Sequence, residues 1–347
     1  MTGFGLLTLV LVALETGVAG LALGMFLALL PLPVYVGLAL WLDRYEKEPL
    51  SMLALAWLWG GTVAVFFSYV LNSFVGAAFL AAGGKSAAEV GTAVLSAPFV
   101  EEGAKGAALF GLYFLKRDEF DNVTDGIVYA VMVGLGFATA ENVLYYGKAV
   151  TEGLGSSMAA FLMRGVISPY SHPLFTAMIG IGLGLARESS GGSIKWLAPA
   201  AGLAVAIGLH ALWNLSAALG IAFFIAYLFV MLPTFLGVLA LVAWSLGRER
   251  AILRAQLAPY LAAGVLSGDE LERIASPRAR LRERVVALRL EGPAGWRRTG
   301  AFHRAAVELA FHGWRLGRGL GRGTEADAAR ERDALELLRS LREAPKR

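Results

Sequence analysis

Long apolar stretches constrain this chain more than any other feature of its sequence. A helix needs about 20 apolar residues to cross the hydrocarbon core of a bilayer. The stretches that meet this length are 21–42, 52–80, 90–115, 124–147, 157–186, 196–219 and 221–246, and the shorter stretch 3–19 is an eighth candidate. Charged residues make up 17% of the chain, against about 25% in soluble domains. The sequence therefore predicts an all-α, polytopic membrane helix bundle of about eight (seven to eight) transmembrane helices.

The charge distribution divides the chain into two parts. Residues 1–247 carry a net charge of −4, whereas residues 248–347 carry +8. We therefore expect a transmembrane domain over 1–247 and a basic, helical, cytosolic tail over 248–347. Beside a membrane domain, such a tail indicates attraction to anionic lipid rather than binding to nucleic acid. We expect no nucleic-acid partner.

The basic residues in the connecting loops predict the orientation of the bundle. Lys85 and Lys148 lie on one side of the predicted membrane. The other side carries Arg44, Lys47, Lys116, Arg117, Arg187, Lys195 and the whole tail. Because cytoplasmic loops carry the excess of Lys and Arg, the tail is expected in the cytoplasm. With eight spans, the N-terminus is expected there too.

Four of the apolar stretches contain polar side chains that we expect to be functional. They are Glu101, Glu102, Glu141, His172, His210 and Asn214. An ionisable residue inside a membrane segment is costly, rare and by default functional. Counted from the predicted outer surface at 1.5 Å per residue, these groups fall in the outer half to the middle of the bilayer. We therefore expect one polar pocket inside the bundle.

Spacing along the helices suggests a different role for each of these groups. Glu101 and Glu102 point about 100° apart, so one should line the pocket while the other supports it. Lys105 lies one turn away and can pair with either carboxylate. His210 and Asn214 are also one turn apart and face one side of their helix.

Together these groups suit the hydrolysis of a peptide bond. A carboxylate or an imidazole serves as the general base on water, and His210 with Asn214 can stabilise an oxyanion. The chain has no cysteine, no Gly-x-Ser-x-Gly and no His-Glu-x-x-His. A metal ion such as zinc is not required by this pattern, but His172, His210 and Glu141 offer ligands for one. The sequence does not decide between water held by metal and water held by glutamate.

The motifs together resemble those of the PrsW family of intramembrane proteases, within the wider superfamily of CAAX prenyl endopeptidases. They are Asp43-Arg-Tyr-Glu-Lys-Glu-Pro49, Glu101-Glu102-x-x-Lys105, Asp125-Gly-Ile-Val-Tyr129, Gly134-Leu-Gly-Phe137-Ala-Thr-Ala-Glu141-Asn142, Arg164-Gly165, His172 with Thr176-Ala177, and His210-x-x-x-Asn214. The resemblance covers about residues 31–216. CAAX endopeptidases carry an Arg one position after Lys105 and a His in place of Glu141, which argues against prenylated substrates.

The resemblance implies a glutamate-dependent endopeptidase in a bacterial plasma membrane. Its substrate would be a membrane protein, in this family a single-span anti-sigma factor. Glu101 is then the expected general base and Glu102 its support, or the base if the register is reversed. Glu141 and His172 would position water or bind metal. Lys105, Phe137 and Arg164 are expected to support the site.

Two other functions stay open at this point. A non-catalytic membrane scaffold would keep the same fold without cleaving anything. A transporter coupled to protons or cations would also place Glu, His and Lys inside the membrane, although the chain shows no inverted repeat of the kind many transporters have. The loop with Asp43, Glu46 and Glu48 is interpreted as a hinge or a docking site for the tail.

Overall fold

The computed structural model describes residues 1–189, 191–319 and 324–343, and every regular element in these ranges is a helix. The all-α prediction is therefore confirmed. The chain divides into two compact units. The membrane unit comprises Met1–Asp43 and Glu48–Val242, and the tail unit comprises Arg44–Lys47 and Ala243–Arg347.

In the described part of the membrane unit, ten α-helices precede a longer helix that begins at Leu232. They are α1 Thr2–Leu29, α2 Leu32–Leu42, α3 Leu50–Leu58, α4 Val65–Gly91, α5 Ala97–Leu115, α6 Val123–Glu152, α7 Leu154–Phe161, α8 Ser171–Glu188, α9 Ile194–Ala218 and α10 Ile221–Ala226. Short π-helical segments join or follow several of them, at Trp59–Ala64, Thr92–Ser96, Leu162–Ile167 and Tyr227–Met231.

Five helical segments in the described part of the chain are long and apolar enough to cross a membrane. They are Thr2–Leu42, Leu50–Leu115, Val123–Glu152, Ile194–Ala218 and Ile221–Ala262. Two of them, Thr2–Leu42 with 41 residues and Leu50–Leu115 with 66, each contain two of the predicted stretches. Gly17 and Gly84 interrupt them with φ of 72° and 77°, a backbone conformation that glycine adopts without steric cost. The count of seven to eight spans stays a prediction.

Helix α6 is the central element of the membrane unit. It begins with a capping box formed by Asn122 and Asp125, and it packs against α1, α2, α3 and α8. A Cβ added at Gly126 would lie 2.2 Å from the carbonyl oxygen of Gly180, and one at Gly134 would lie 2.7 Å from Cα of Pro173. Glycine is therefore needed where α8 meets α6. The dense glycines of these apolar stretches, Gly126, Gly134 and Gly180 among them, are a sequence pattern that predicts close helix packing, and the structure confirms this role.

The tail unit is built from the end of α11 and three further helices. They are α11 Leu232–Ala262, α12 Gly268–Ile274, α13 Pro277–Gly317 and α14 Thr324–Glu343. The sequence Ser267-Gly-Asp-Glu270 predicts a helix start, and helix α12 does begin at this capping box. Helix α13 is interrupted at Gly292, where φ is 67°. Pro293 and Gly295 in the sequence predict a break slightly later. The glycines of 317–323 predict a flexible link between two helices, and residues 320–323 of that link lie outside the described residues.

The short segment Arg44–Lys47 packs with the tail helices. The guanidinium of Arg280 donates to the carbonyl oxygens of Arg44 and Tyr45, at 2.6 and 3.1 Å. The guanidinium of Arg315 pairs with Glu46 at 3.1 Å. These contacts fit the interpretation of this loop as a docking site for the tail.

Candidate active site

Four helices of the membrane unit contribute the predicted polar side chains. Glu101, Glu102 and Lys105 lie on α5, which starts at Ala97 with Pro98 in its first turn. Glu141 lies on α6, His172 at the start of α8, and His210 on α9. Hydrogen bonds between these side chains join the four helices in one largely buried cluster.

Glu102 is the most firmly held carboxylate of the cluster. Its Oε1 accepts from Lys105 Nζ at 2.5 Å and from His210 Nδ1 at 2.9 Å. Its Oε2 accepts from the Thr176 hydroxyl at 3.3 Å. Glu102 and Lys105 are both fully buried. A buried carboxylate with a cation and two further donors is well satisfied, so Glu102 positions its neighbours.

Glu101 is held quite differently. Its Oε2 is buried and has no hydrogen-bond partner among the described residues. The nearest ionisable nitrogen is Nε2 of His210, at 3.8 Å, which is too long for a direct hydrogen bond. A buried polar atom without a partner is rare in folded proteins and calls for an explanation. Here Oε2 of Glu101 is an open acceptor that faces the imidazole of His210.

His172 is held from both sides of its ring. Its Nε2 lies 2.8 Å from Oε2 of Glu141, and its Nδ1 lies 3.2 Å from Lys105 Nζ. Arg164 bonds the same Glu141 oxygen and donates from Nε to Asn142 Oδ1 at 2.7 Å. Glu141 is thus neutralised by a cation while it orients the imidazole.

Phe137 supports both the imidazole and the ammonium of the cluster. Its ring centroid lies 5.2 Å from that of His172, and Lys105 Nζ lies 4.3 Å from the same ring. The second distance is within the range of a cation–π contact. The structure therefore places the three predicted supporting residues, Lys105, Phe137 and Arg164, in contact with the cluster.

The hydrogen-bond partners indicate which nitrogens of the two imidazoles carry hydrogen. An ionised carboxylate only accepts, so in a neutral ring the nitrogen beside it is the donor. His172 is then protonated on Nε2, facing Glu141, and His210 on Nδ1, facing Glu102. The lone pairs lie on His172 Nδ1 and His210 Nε2. Both point toward the interior of the cluster, where Lys105 and Glu101 lie.

These residues fit a metal ion. Ligand atoms of Glu101, His172 and His210 lie within 4.8 Å of one another, the one such group among the described residues. Each imidazole donates its other N–H to a carboxylate, as metal-binding histidines usually do. The group contains Glu101 in place of the predicted Glu141, because Glu141 lies against the far nitrogen of His172. Lys105 Nζ already lies 3.2 Å from His172 Nδ1, so it would compete with a metal ion for the lone pair of that nitrogen.

Asn214 does not join the cluster in the described structure. Its amide donates to the carbonyl oxygen of Ala93 at 2.8 Å, which ties α9 to the π-helical segment before α5. Its predicted role in stabilising an oxyanion stays a prediction.

Two residues near His172 were not predicted to belong to the site. Thr176 bonds Glu102 as described above, and the Phe175 ring stacks on His210 with centroids 5.0 Å apart. Both lie one helical turn after His172. A search of that helix face for side chains that could meet α5 or α9 would have found them.

A cavity of about 150 Å³ opens beside His172. Its lining includes Asn142, Arg164, Trp213 and Phe223 as well as His172 itself. His172 and Arg164 of the cluster therefore border a space large enough for part of another molecule.

Comparison with known proteins decides the family. The family described as "PrsW family intramembrane metalloprotease" matches residues 48–238, which is more than half of the chain. The chain belongs to the PrsW family. With its apolar helical segments and bacterial relatives, it is an integral membrane protein of bacterial type. No solved structure matches it.

The curated relatives support the same assignment. "Protease PrsW" of Geobacillus kaustophilus is 36% identical over 145 residues, 42% of this chain and 58% of the relative. "Protease PrsW" of Bacillus subtilis is 30% identical over 161 residues, 45% and 65% respectively, and that of Clostridioides difficile is 31% identical over 152 residues, 43% and 60%. The match thus spans less than two thirds of these relatives.

Proposed function

We propose that this chain is an intramembrane endopeptidase that hydrolyses peptide bonds of membrane-protein substrates. One observation carries the proposal: an unpartnered buried carboxylate, Glu101, lies beside an imidazole that Glu102 holds in place. This is the arrangement that a general base on water needs. The membership in the PrsW family and the relatives named proteases support the same reaction.

In this mechanism Glu101 accepts a proton from a water molecule between its Oε2 and Nε2 of His210. The water oxygen attacks the carbonyl carbon of the substrate peptide. The proton then passes to the leaving amine as the C–N bond breaks. Lys105 and Arg164 supply the positive charge that stabilises the developing oxyanion. Asn214 is bonded to Ala93 and is a poorer candidate for that task.

A metal ion would be held by Glu101, His172 and His210. Zinc suits nitrogen and oxygen ligands, and when bound it makes water more acidic and polarises a carbonyl group. The roles of Glu102 and Glu141 are the same with or without metal, since each fixes one imidazole. With a metal ion bound, Glu101 would be a metal ligand and not the general base.

The topology that we propose has eight spans with the C-terminal tail in the cytoplasm of a bacterial plasma membrane. The excess of Lys and Arg on one side supports this orientation. The catalytic cluster then lies in the outer half to the middle of the bilayer. A single-span membrane protein of the anti-sigma-factor kind is the proposed substrate, cut near its outer end.

The test is cleavage of a single-span substrate by the purified protein in liposomes. We expect the parent protein to cut the substrate and Glu101→Gln to reduce the rate by about 10²–10⁴-fold. The matched control is Glu89→Gln, which changes an exposed glutamate and should cut at the parent rate. Equal rates for the parent and Glu101→Gln would contradict the proposal.

Removal of metal tests whether the site works in its metal-bound form. The bound metal of the purified protein is measured, and cleavage is compared before and after treatment with a chelator. Loss of cleavage with the chelator, and its return when zinc is added, would assign Glu101 as a ligand. Full activity of the metal-free protein would assign Glu101 as the base.

A further inference from the structure

The lining of the cavity beside His172 contains two chemically different sets of side chains. The apolar set includes Met163, Trp213, Ala217 and Phe223. The polar set includes Asn142, Arg164 and Ser171. His172 lines the cavity as well, and the same imidazole contacts Lys105 inside the cluster. A peptide whose carbonyl group reaches the cluster therefore has its next residue within reach of the cavity, because neighbouring Cα atoms are about 3.8 Å apart.

The size of the cavity suits one large side chain. Its volume is about 150 Å³, and an apolar cavity of roughly that volume accepts a benzene ring in other proteins. Glycine or alanine would leave most of it unfilled. Leucine, methionine or phenylalanine would fill it.

The apolar lining of the cavity is connected to the catalytic cluster by contacts between aromatic rings. Trp213 lies one turn after His210 on α9, and its ring meets Phe223 edge-on with centroids 4.9 Å apart. On its other side Trp213 meets Phe175 at 6.4 Å, and Phe175 stacks on His210. The apolar wall is thus fixed relative to the imidazole, as a specificity pocket must be.

The polar lining of the cavity is better suited to bind a peptide backbone than a charged side chain. Arg164 donates from Nε to Asn142 and from Nη2 to Glu141, and among the described residues its Nη1 has no partner. That amino group can donate to a carbonyl oxygen of the substrate. The guanidinium repels Lys and Arg. Its pairing with Glu141 reduces the attraction for an acidic side chain.

We propose that this cavity is the subsite for a large apolar side chain next to the bond that is cut, with Arg164 facing the substrate backbone. The inference rests on the proposed peptidase function. It adds the class of residue that the substrate carries beside the scissile bond.

The experiment uses a library of single-span membrane polypeptides with random residues in the segment outside the span. The full-length protein in liposomes cleaves the library, and mass spectrometry identifies the residues around each cut. We expect leucine, methionine and phenylalanine at one fixed position, favoured over alanine by about 10–100-fold, as is usual for apolar pockets.

Two variants connect that preference to the cavity. Ala217→Phe fills it and should invert the preference toward alanine and glycine at the same position. Phe223→Leu enlarges it and should raise the share of tryptophan and tyrosine. The matched control is Ala218→Phe, which makes the same change at the neighbouring residue, outside the lining, and should keep the parent preference.

Each outcome separates the two proposals. Cleavage by the parent without preference at any position, or an acidic preference, overturns the subsite and leaves the peptidase function standing. The subsite is also overturned if both cavity variants keep the parent preference. No cleavage of any library member by the parent overturns both proposals.

Discussion

Both ends of α6 carry carboxylates that are shielded from solvent, Asp125 almost fully and Glu141 in part, but they hold them in different ways. At the start of the helix, Asp125 accepts from the backbone N–H groups of Asp121 and Asn122 at 2.9 and 3.1 Å. One turn later, Tyr129 donates to the buried carboxyl group of Glu48. These partners are fixed by a helix cap and a neighbouring loop. The polar groups there are satisfied and stabilise the fold.

Glu141, about 16 residues after Asp125 on α6, is held instead by side chains from other helical segments. Arg164 and His172 hold it, and the nearby Glu101 has an oxygen with no partner among the described residues. A cavity adjoins this end. The comparison teaches that burial of a carboxylate does not by itself indicate function. An open acceptor that faces an imidazole, as Oε2 of Glu101 faces Nε2 of His210, is the stronger indication, because most buried polar groups in native structures are satisfied.

The largest effect is expected from Glu102→Gln. This change leaves the buried Lys105 without its ionic partner, which typically costs about 3–5 kcal/mol of stability. It also frees the His210 ring, so cleavage should fall by about 10²–10⁴-fold. Thermal unfolding in detergent and the liposome cleavage assay measure the two effects. An unchanged unfolding temperature would show that Glu102 is not the structural centre of the cluster.

Glu141→Gln should have a smaller effect on cleavage. The amide still reaches His172 and Arg164 but no longer carries the charge that orients both, and loss of such a supporting carboxylate usually costs about 10–100-fold in activity. The rate of substrate cleavage measures it. Glu152→Gln, an exposed position at the end of the same helix, is the control. A rate equal to that of the control would remove Glu141 from the site.

The sequence predicted the members of the cluster better than their roles. Glu101, Glu102, His172 and His210 could be found because ionisable residues are rare in apolar segments. Which glutamate is bonded and which is open depends on side-chain directions across α5, α8 and α9. Spacing along one helix does not contain that information, and for the same reason the bond from Asn214 to Ala93 was not foreseen.

The fold shows the same division. The helical class, the packing glycines of α6 and the cap at Ser267 follow from local pattern and were predicted. The number of membrane crossings does not follow, because Gly17 and Gly84 interrupt helices that continue on both sides of them. The contact of Arg280 with the backbone of Arg44 joins residues far apart in the chain, and only tertiary structure reveals it.

Asp125→Ala probes the stabilising end of α6. The change removes one half of the capping box, which typically costs about 0.5–2 kcal/mol of stability. Cleavage per folded molecule should stay at the parent value, because Asp125 lies roughly 24 Å along the helix from Glu141. Unfolding and cleavage are measured on the same preparation. A large loss of cleavage with normal stability would mean that the two ends do not differ in function.

The smallest effect concerns the pH dependence of stability. Burial raises the pKa of Glu48 well above its ordinary value, and the nearby negative charges of Asp43, Glu119 and Asp121 raise it further, against the hydrogen bond from Tyr129. The stability contributed by the neutral carboxyl is therefore fully present below the unfolded-state pKa of about 4.3. It is lost as the pH rises through the folded-state pKa.

Glu48→Gln stays neutral and can still accept from Tyr129. Its unfolding temperature relative to the parent should therefore increase as the pH rises from about 4 to about 8, above the ordinary range of a carboxyl pKa. Glu152→Gln serves as the control and should show no such trend. A constant difference between Glu48→Gln and the parent over this range would show that the Glu48 pKa is not raised.

The stability of Glu101→Gln, measured in the preparation used for cleavage, decides whether Glu101 is an acceptor kept open for the reaction. If Glu101 is an open acceptor kept for the reaction, the neutral amide removes a buried charge without breaking a bond. The unfolding temperature should then equal or exceed that of the parent while cleavage is lost. A protein that unfolds at a clearly lower temperature and still cuts its substrate would contradict this account.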